Sequence, residues 1–305
     1  MSLILTAGCG SRDIPEGTVV TFLYSSDVRG ALTGCGCQQN GAGIARRSAE
    51  IAAARSTDGS VVYCDVGNFM SGTAQADSSR GAVMIDAYNH MKASVVNVSE
   101  REVAYGVDAF KAAKKNAKFD FVSANVIMNG SVITEPFVIK KVKEARVAFV
   151  GLCGTRETMR SDAAILPSDI TVEDPFKAAR RVLPAIAGKA DLIVILSTCG
   201  DEVDSSLATS FPEVDMIVGG RSFRFNAFEP WVIGKTRIVR AQRDGRTLGR
   251  MDLEFGTERK IKTYVPAELR MNVDGTVDND MMAVVKKHVP GFVDHPSAVA
   301  ASQTR

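Results

Sequence analysis

The chain has 305 residues, 45% hydrophobic and 24% charged, with a net charge of +2. This is the balance of a globular protein able to bury a sizeable core without metals or disulfides, and it argues against a dedicated nucleic-acid binder, which carries a strong basic excess. No apolar run reaches the roughly 18–20 residues needed to span a bilayer.

The start of the chain, Leu5-Thr6-Ala7-Gly8-Cys9-Gly10-Ser11, reads like the end of a bacterial lipoprotein signal. Small residues precede a cysteine and a polar segment follows. On this reading the leader is truncated, Cys9 carries the lipid, and residues 1–17 are signal and tether, to be kept out of the fold argument. The expected location is the bacterial cell envelope, facing the periplasm, with the membrane reached through the lipid anchor alone. The bland alternative is a short apolar leader with an incidental cysteine.

Residues 18–25 are β-rich and bounded by Gly17 and Ser26-Asp27, which predicts a strand. Residues 43–55 read as a helix with Ile44 and Ile51 on one face. A strand at 60–66, a helix at 81–92, a strand at 94–98, a helix at 107–116 and a strand at 119–126 follow. The rhythm then repeats. Residues 145–153 form a continuous apolar strand. Residues 175–188 read as a helix with Asp174 as N-cap and Pro175 at the opening position. Residues 191–197 and 215–219 are short apolar strands. From 231 to 265 the pattern is β-rich without a helix, and 280–288 predicts a closing helix. Alternation of strands and helices implies βαβ wiring, and strands without polar alternation imply sheets covered on both faces. Residues 291–305 read as a loose tail, leaving 18–290 as the domain.

The order of short segments carries more information than any one of them. Leu23-Tyr24-Ser25-Ser26-Asp27-Val28-Arg29-Gly30 is followed by Gly41-Ala42-Gly43-Ile44-Ala45-Arg46-Arg47, Asp65-Val66-Gly67-Asn68 and Ser99-Glu100-Arg101-Glu102. Ser123-Ala124-Asn125, Leu196-Ser197-Thr198-Cys199-Gly200 and Gly219-Gly220-Arg221-Ser222-Phe223 complete the set. This ordered series resembles the calcineurin-like metallophosphoesterases, most closely their 5′-nucleotidase branch, over about residues 18–254. The resemblance implies an α/β fold of four layers, with two facing mixed β-sheets flanked by helices. It covers the catalytic-type domain only, without the nucleotidases' C-terminal substrate-binding domain.

The resemblance also implies where a pair of divalent cations would sit, since the family's chemistry uses two of them to activate water and clamp phosphate. Position by position, the ligands are replaced. Asp27 keeps its carboxylate. Arg29 stands for a ligand histidine, Asn68 for the bridging aspartate, Glu100 for an asparagine and Arg101 for the histidine that assists the phosphate. Thr198, Arg221 and Phe223 stand for the remaining histidines. Arginine has no lone pair to offer a metal and phenylalanine has no donor atom. The expectation is no catalytic residue, no metal and no cofactor. Asp27, Asn68 and Glu100 offer oxygens to one hard cation, but a salt bridge between the carboxylates and Arg29 or Arg101 is the preferred reading. Arg29, Arg101 and Arg221 come from separate motifs. One reading makes them a metal-free anion site, with Asp27 and Glu100 orienting the guanidiniums. The other makes them neutralising groups in a filled, inert site with Phe223 as plug. The two stand side by side.

The chain has six cysteines. Cys35 and Cys37 follow the opening motif, and Cys153 and Cys199 end two predicted strands. Soft-metal or redox chemistry competes with one or two disulfides. A disulfide involving Cys35 or Cys37 is expected, with its partner open. Cys64 reads as a core residue. His90, His288 and His295 read as surface or satisfied residues. The leading expectation is therefore a non-catalytic envelope lipoprotein binding a small anion, a phosphate-bearing ligand or a protein partner, and not nucleic acid. The alternative is an active phosphoesterase or 5′-nucleotidase-like hydrolase with an atypical single-metal site. An electron-transfer role for the cysteines is a third reading.

Overall fold

The computed structural model describes residues 14–34, 43–155, 166–222, 229–271 and 275–294. Cys9, Cys35, Cys37, Phe223 and His295 lie outside the described residues. In the first half, β1 (Val19–Ser25), α1 (Ile44–Thr57), β2 (Val62–Asp65), α2 (Ala74–Ser78) and α3 (Ala82–His90) come in order. They are followed by β3 (Val95–Asn97), α4 (Glu100–Val103), α5 (Val107–Asn116) and β4 (Asp120–Val122). A small sheet uses β5 (Val126–Met128) and β6 (Ser131–Val132). The second half runs through β7 (Phe137–Val142), β8 (Ala145–Cys153), β9 (Ile170–Val172), α6 (Pro175–Ile186), β10 (Leu192–Thr198), α7 (Asp201–Ser210) and β11 (Met216–Gly219). It ends with β12 (Trp231–Ile233), β13 (Thr236–Val239), β14 (Thr247–Phe255), β15 (Ile261–Arg270) and α8 (Asn279–His288).

Two six-stranded mixed sheets form, ordered β15-β14-β1-β2-β3-β4 and β12-β13-β11-β10-β8-β7. Phe22, Tyr24, Val62, Phe149, Leu196 and Met251 pack between them. Residues of α1, α3, α5 and α8 cover the outer face of one sheet, and α6 and α7 cover the other. The expected four layers are present. β1, β8, β10 and β11 are apolar along their length because each sheet is buried on both faces. A fully buried Val, Leu or Phe is worth about 1.5–3 kcal/mol, so this double burial is the main source of stability.

The backbones of the two sheets come together at Gly151. A Cβ on Gly151 would lie 2.4 Å from the Val122 carbonyl oxygen, so only glycine admits this approach. Asn97 seals the contact by donating to the carbonyls of Leu152 at 3.0 Å and Val66 at 2.9 Å. β1, β2, β3 and β4 run parallel, as do β8, β10, β11 and β13. Their carboxyl ends open on the same edge of the sandwich, where ligands of α/β sheets bind.

Two expectations are corrected. Residues 119–126 do not form one strand: the chain turns at Ser123–Asn125, and Val126–Met128 joins the small sheet. Residues 291–294 are not a loose tail. Phe292 is buried in the core beside α1 and α8, and Asp294 pairs with Arg46 at 2.5 Å.

Candidate functional site

The loops after β1, β2, β3 and β11 meet above the sandwich. Ser26 ties two of them: its Oγ donates to the Gly219 carbonyl at 2.9 Å and accepts from the Ala241 amide at 3.2 Å. Asp27, Arg29, Asn68 and Arg221 all have left-handed backbone, with φ of 46°, 51°, 60° and 54°. Such positions cost energy for most side chains and persist where surrounding bonds hold them. Here the Arg29 amide donates to the Asn68 carbonyl at 2.7 Å, and the Arg221 amide donates to Asp27 Oδ2.

Asp27 is the centre of the cluster. Its Oδ1 accepts from Asn68 Nδ2 at 2.9 Å, and Gly220 passes so close that a Cβ there would lie 2.9 Å from Oδ2. Asn68 uses both ends of its amide, because its Oδ1 accepts from Ser99 Oγ at 2.5 Å. Below it the buried Glu102 carboxylate accepts the amides of Phe69 at 2.8 Å, Ser99 at 2.9 Å and Asn68 at 3.0 Å. Glu102 thereby fixes the β2 and β3 loops against each other.

Among the described residues the arginines go to different partners. The Arg221 guanidinium forms an ion pair with Glu100, with side-chain exposures of 8% and 1%. Burial pulls the Arg221 pKa down, and the Asp27 charge opposes that. Arg29 grips Asp244 Oδ1 through Nε at 2.8 Å and a terminal nitrogen at 2.6 Å. Arg101 donates to the Ser71 carbonyl at 3.3 Å and packs over Gly72. Glu100 Oε2, Arg221 Nε and Thr198 Oγ1 are buried without a hydrogen-bond partner. Orphaned buried polar atoms call for a water or a small polar group.

A dimetal centre does not fit this donor set. The amide of Asn68 presents its nitrogen, not its oxygen, to Asp27. Arg221 occupies both carboxylates by different groups: its guanidinium pairs with Glu100 and its backbone amide donates to Asp27. Among the described residues no group of three or more His, Cys, Asp or Glu is arranged to hold a metal.

Two further carboxyls, Asp65 and Asp204, are fully buried. Burial pushes Asp65 up to about 7, against hydrogen bonds from Ser25, Tyr88 and the Gly67 amide. Burial also pushes Asp204 up to about 7, outweighing Arg240 and a 2.5 Å bond from Ser197 Oγ. Sequence reasoning does not find Asp244, Glu102, Asp204 or Arg240. The Ser99-x-x-Glu102 spacing is the one local signal that marks Glu102.

The cysteine expectation is corrected at two positions. Cys153 and Cys199 are buried free thiols, and burial pushes both pKa values up. Buried thiols of this kind are inert. Cys64 is buried and free, a core residue as expected. His90 and His288 pair with Asp278 at 2.8 Å and Asp86 at 2.7 Å. Those pairs clamp α8 to α3, away from the strand ends.

Known proteins resemble this chain in sequence and fold. The chain is 25% identical over 264 residues to the 2′,3′-cyclic-nucleotide 2′-phosphodiesterase/3′-nucleotidase of Yersinia enterocolitica, covering 78% of this chain and 39% of that protein. It is 22% identical over 316 residues to the snake venom 5′-nucleotidase of Crotalus adamanteus, covering 92% of this chain and 53% of the relative. The chain thus spans about half or less of these curated relatives. Among solved structures, a 5′-nucleotidase precursor from Thermus thermophilus superposes with a TM-score of 0.77 at 21% identity, covering 94% of this chain and 60% of that one. A calcineurin-like phosphoesterase from Bacillus subtilis superposes with a TM-score of 0.76 at 18% identity, covering 90% of this chain and 97% of that one. No family profile matches the chain.

Proposed function

Starting from a calcineurin-like phosphoesterase fold with relatives in the 5′-nucleotidase branch, we propose that this chain is a non-catalytic binding protein of the bacterial envelope. It takes an anionic or phosphate-bearing ligand, or a protein partner, at the mouth above Asp27. The observation that carries this reading is Arg221, whose guanidinium engages Glu100 while its amide engages Asp27. On the motif resemblance, this places a fixed positive charge of the chain where two-metal hydrolysis would need an exchangeable water on a metal. Arg29 and Arg101 add positive charge at the rim, which favours an anion. A scaffold can outlive its chemistry, because function lives in the site and not in the fold. If the chain is active, its relatives make it a phosphoric-ester hydrolase.

The test is metal analysis of the purified chain, with nucleotidase and phosphodiesterase assays in added manganese. Turnover proportional to bound metal would reject the reading. Binding at the mouth is tested by calorimetric titration with a nucleoside monophosphate on wild type and Arg101→Ala, where the variant is expected to bind more weakly. The lipid anchor is tested by fatty-acid labelling in a bacterial host, which Cys9→Ser is expected to abolish.

A further inference from the structure

Beside the mouth, the link between β13 and β14 makes a tight turn, Arg243-Asp244-Gly245-Arg246, with the Arg246 amide donating to the Arg243 carbonyl at 3.4 Å. Asp244 and Gly245 have φ of 63° and 64°, the paired left-handed geometry that Asp-Gly supports in hairpin turns. The turn is anchored to the cluster, since the Asp244 amide donates to the Asp27 carbonyl at 3.0 Å.

The charges at this turn are unevenly matched. Asp244 gives Oδ1 to Arg29 through two short bonds. Arg243 Nε and an Arg246 terminal nitrogen reach only the other oxygen, at 3.7 and 3.8 Å. Those distances are ion-pair contacts, too long for hydrogen bonds. The two side chains are 53% and 40% exposed, and Arg246 Nε is buried without a partner. A further positive charge lies underneath. Arg47 is 1% exposed, and a Cβ on Gly245 would lie 1.9 Å from its guanidinium. Its Nε and one terminal nitrogen are buried without a hydrogen-bond partner. No carboxylate among the described residues lies within ion-pair distance of Arg47.

We infer that the Arg243–Arg246 turn is a binding site for a tetrahedral oxyanion, phosphate or sulfate, free or as a monoester. Arg243 and Arg246 are its ligands, Asp244 is an internal competitor, and Arg47 supplies positive potential from below. A tetrahedral group with three free oxygens can hydrogen-bond two separate guanidinium forks, whereas the Asp244 carboxylate, held by Arg29, meets them only at 3.7 and 3.8 Å. Asp244 stays in place, because Arg29 and the turn geometry both hold it. Its charge weakens the anion without blocking it. The site lies outside the positions that correspond to metal ligands in the phosphoesterases, so it stands or falls independently of whether the chain hydrolyses esters.

Calorimetric titration of the full chain with inorganic phosphate, and separately with sulfate, tests this, at constant ionic strength in chloride and with a chelator present. Wild type is expected to bind both ions. The double variant Arg243→Ala/Arg246→Ala is expected to lose about tenfold or more in affinity, the scale of charge-assisted bonds. Asp244→Asn is expected to bind more tightly, an outcome that a purely structural role for the turn does not produce. Thermal unfolding checks that each variant is folded. Three outcomes would overturn the assignment: no binding of either ion in the millimolar range, binding unchanged in the double variant, or affinity in Asp244→Asn equal to or below wild type. A loss in Arg101→Ala matching that of the double variant would place the anion over the mouth and also overturn it.

Discussion

Arg221 and Glu100, 121 residues apart, form an ion pair almost closed to solvent, with Glu100 opening α4 after β3 of one sheet and Arg221 on the loop after β11 of the other. The pair is a cross-link between the two halves of the sandwich. Its net worth is modest, because two charges had to leave water to form it.

Breaking it from one side is a different matter. Arg221→Ala leaves the Glu100 carboxyl buried without its partner, which costs about 3–5 kcal/mol. The double variant Arg221→Met/Glu100→Leu removes both charges at similar volume and is expected to recover most of that loss. Urea unfolding of the three proteins measures it. A single variant as stable as wild type would show that water already reaches the pair.

Asn68→Asp is expected to destabilise the cluster and to make stability depend on pH. The Asn68 amide donates to Asp27 at 2.9 Å. A carboxylate there removes the donor and sets two like charges together in a buried place, at roughly 2 kcal/mol or more. Burial and the Asp27 charge both raise the pKa of the new acid. Its protonated form is therefore favoured in the fold, and the penalty fades as pH falls through that raised value. Urea midpoints from pH 8 to pH 5 check the direction. A penalty that grows on acidification would contradict this account.

Much of this architecture is legible in the chain order. The apolar runs of β1, β8, β10 and β11 announce doubly covered sheets because nothing in them alternates. The site is less legible. Asp27, Asn68 and Arg221 can be placed by motif order, yet the partners of the arginines cannot. Arg29 finds Asp244 across 215 residues, and a pairing at that range leaves no local trace. The break at Ser123–Asn125 is hidden for a related reason. The Ala124 amide donates to the Gly151 carbonyl at 2.8 Å, and the Asn125 side chain donates to the Cys153 carbonyl at 2.7 Å. The segment is claimed by the other sheet, while its composition still reads as strand. α7 is not legible because two residues of its acidic start, Asp201 and Asp204, turn inward to the buried Arg240 while Glu202 stays exposed, which leaves no clean amphipathic stripe.

Asp65 predicts a second pH effect. Burial holds its carboxyl up to about 7 in the fold, against about 3.9 in an unfolded chain. The folded state therefore takes up the proton first. The stability this contributes is complete below the unfolded value and is lost as pH rises through about 7. Asp65→Asn removes the titration and is expected to flatten the stability profile between about pH 4 and pH 7. Asp204 titrates with the same sign, so the difference between the wild-type and variant curves is the quantity to read. Parallel curves would mean that the Tyr88 bond at 2.8 Å and the Ser25 bond keep Asp65 ionised in the fold.

The last prediction asks whether Arg221 occupies the place of a cation in the electrostatic sense. In wild type, manganese or magnesium is expected to leave the melting temperature unchanged, and a chelator likewise, because the Arg221 guanidinium already pairs with Glu100 and its amide already holds Asp27. Arg221→Ala removes that charge and keeps the backbone amide on Asp27. Glu100 then offers two carboxylate oxygens, one of which is already without a partner, in the same cluster as the Asp27 carboxylate. Hard divalent cations take oxygen ligands of this kind. The variant is therefore expected to be stabilised by manganese in a concentration-dependent way, by about 2.7 kcal/mol at a hundredfold excess over the dissociation constant. Adding Glu100→Gln to Arg221→Ala should abolish the effect by removing the second carboxylate. Stabilisation of wild type by manganese would show that the guanidinium is no substitute, and it would reopen the hydrolase reading. Indifference of Arg221→Ala to every divalent cation would show that these carboxylates are too constrained by Asn68 and the loop backbone to serve a metal, with the cluster then serving as a structural cross-link alone.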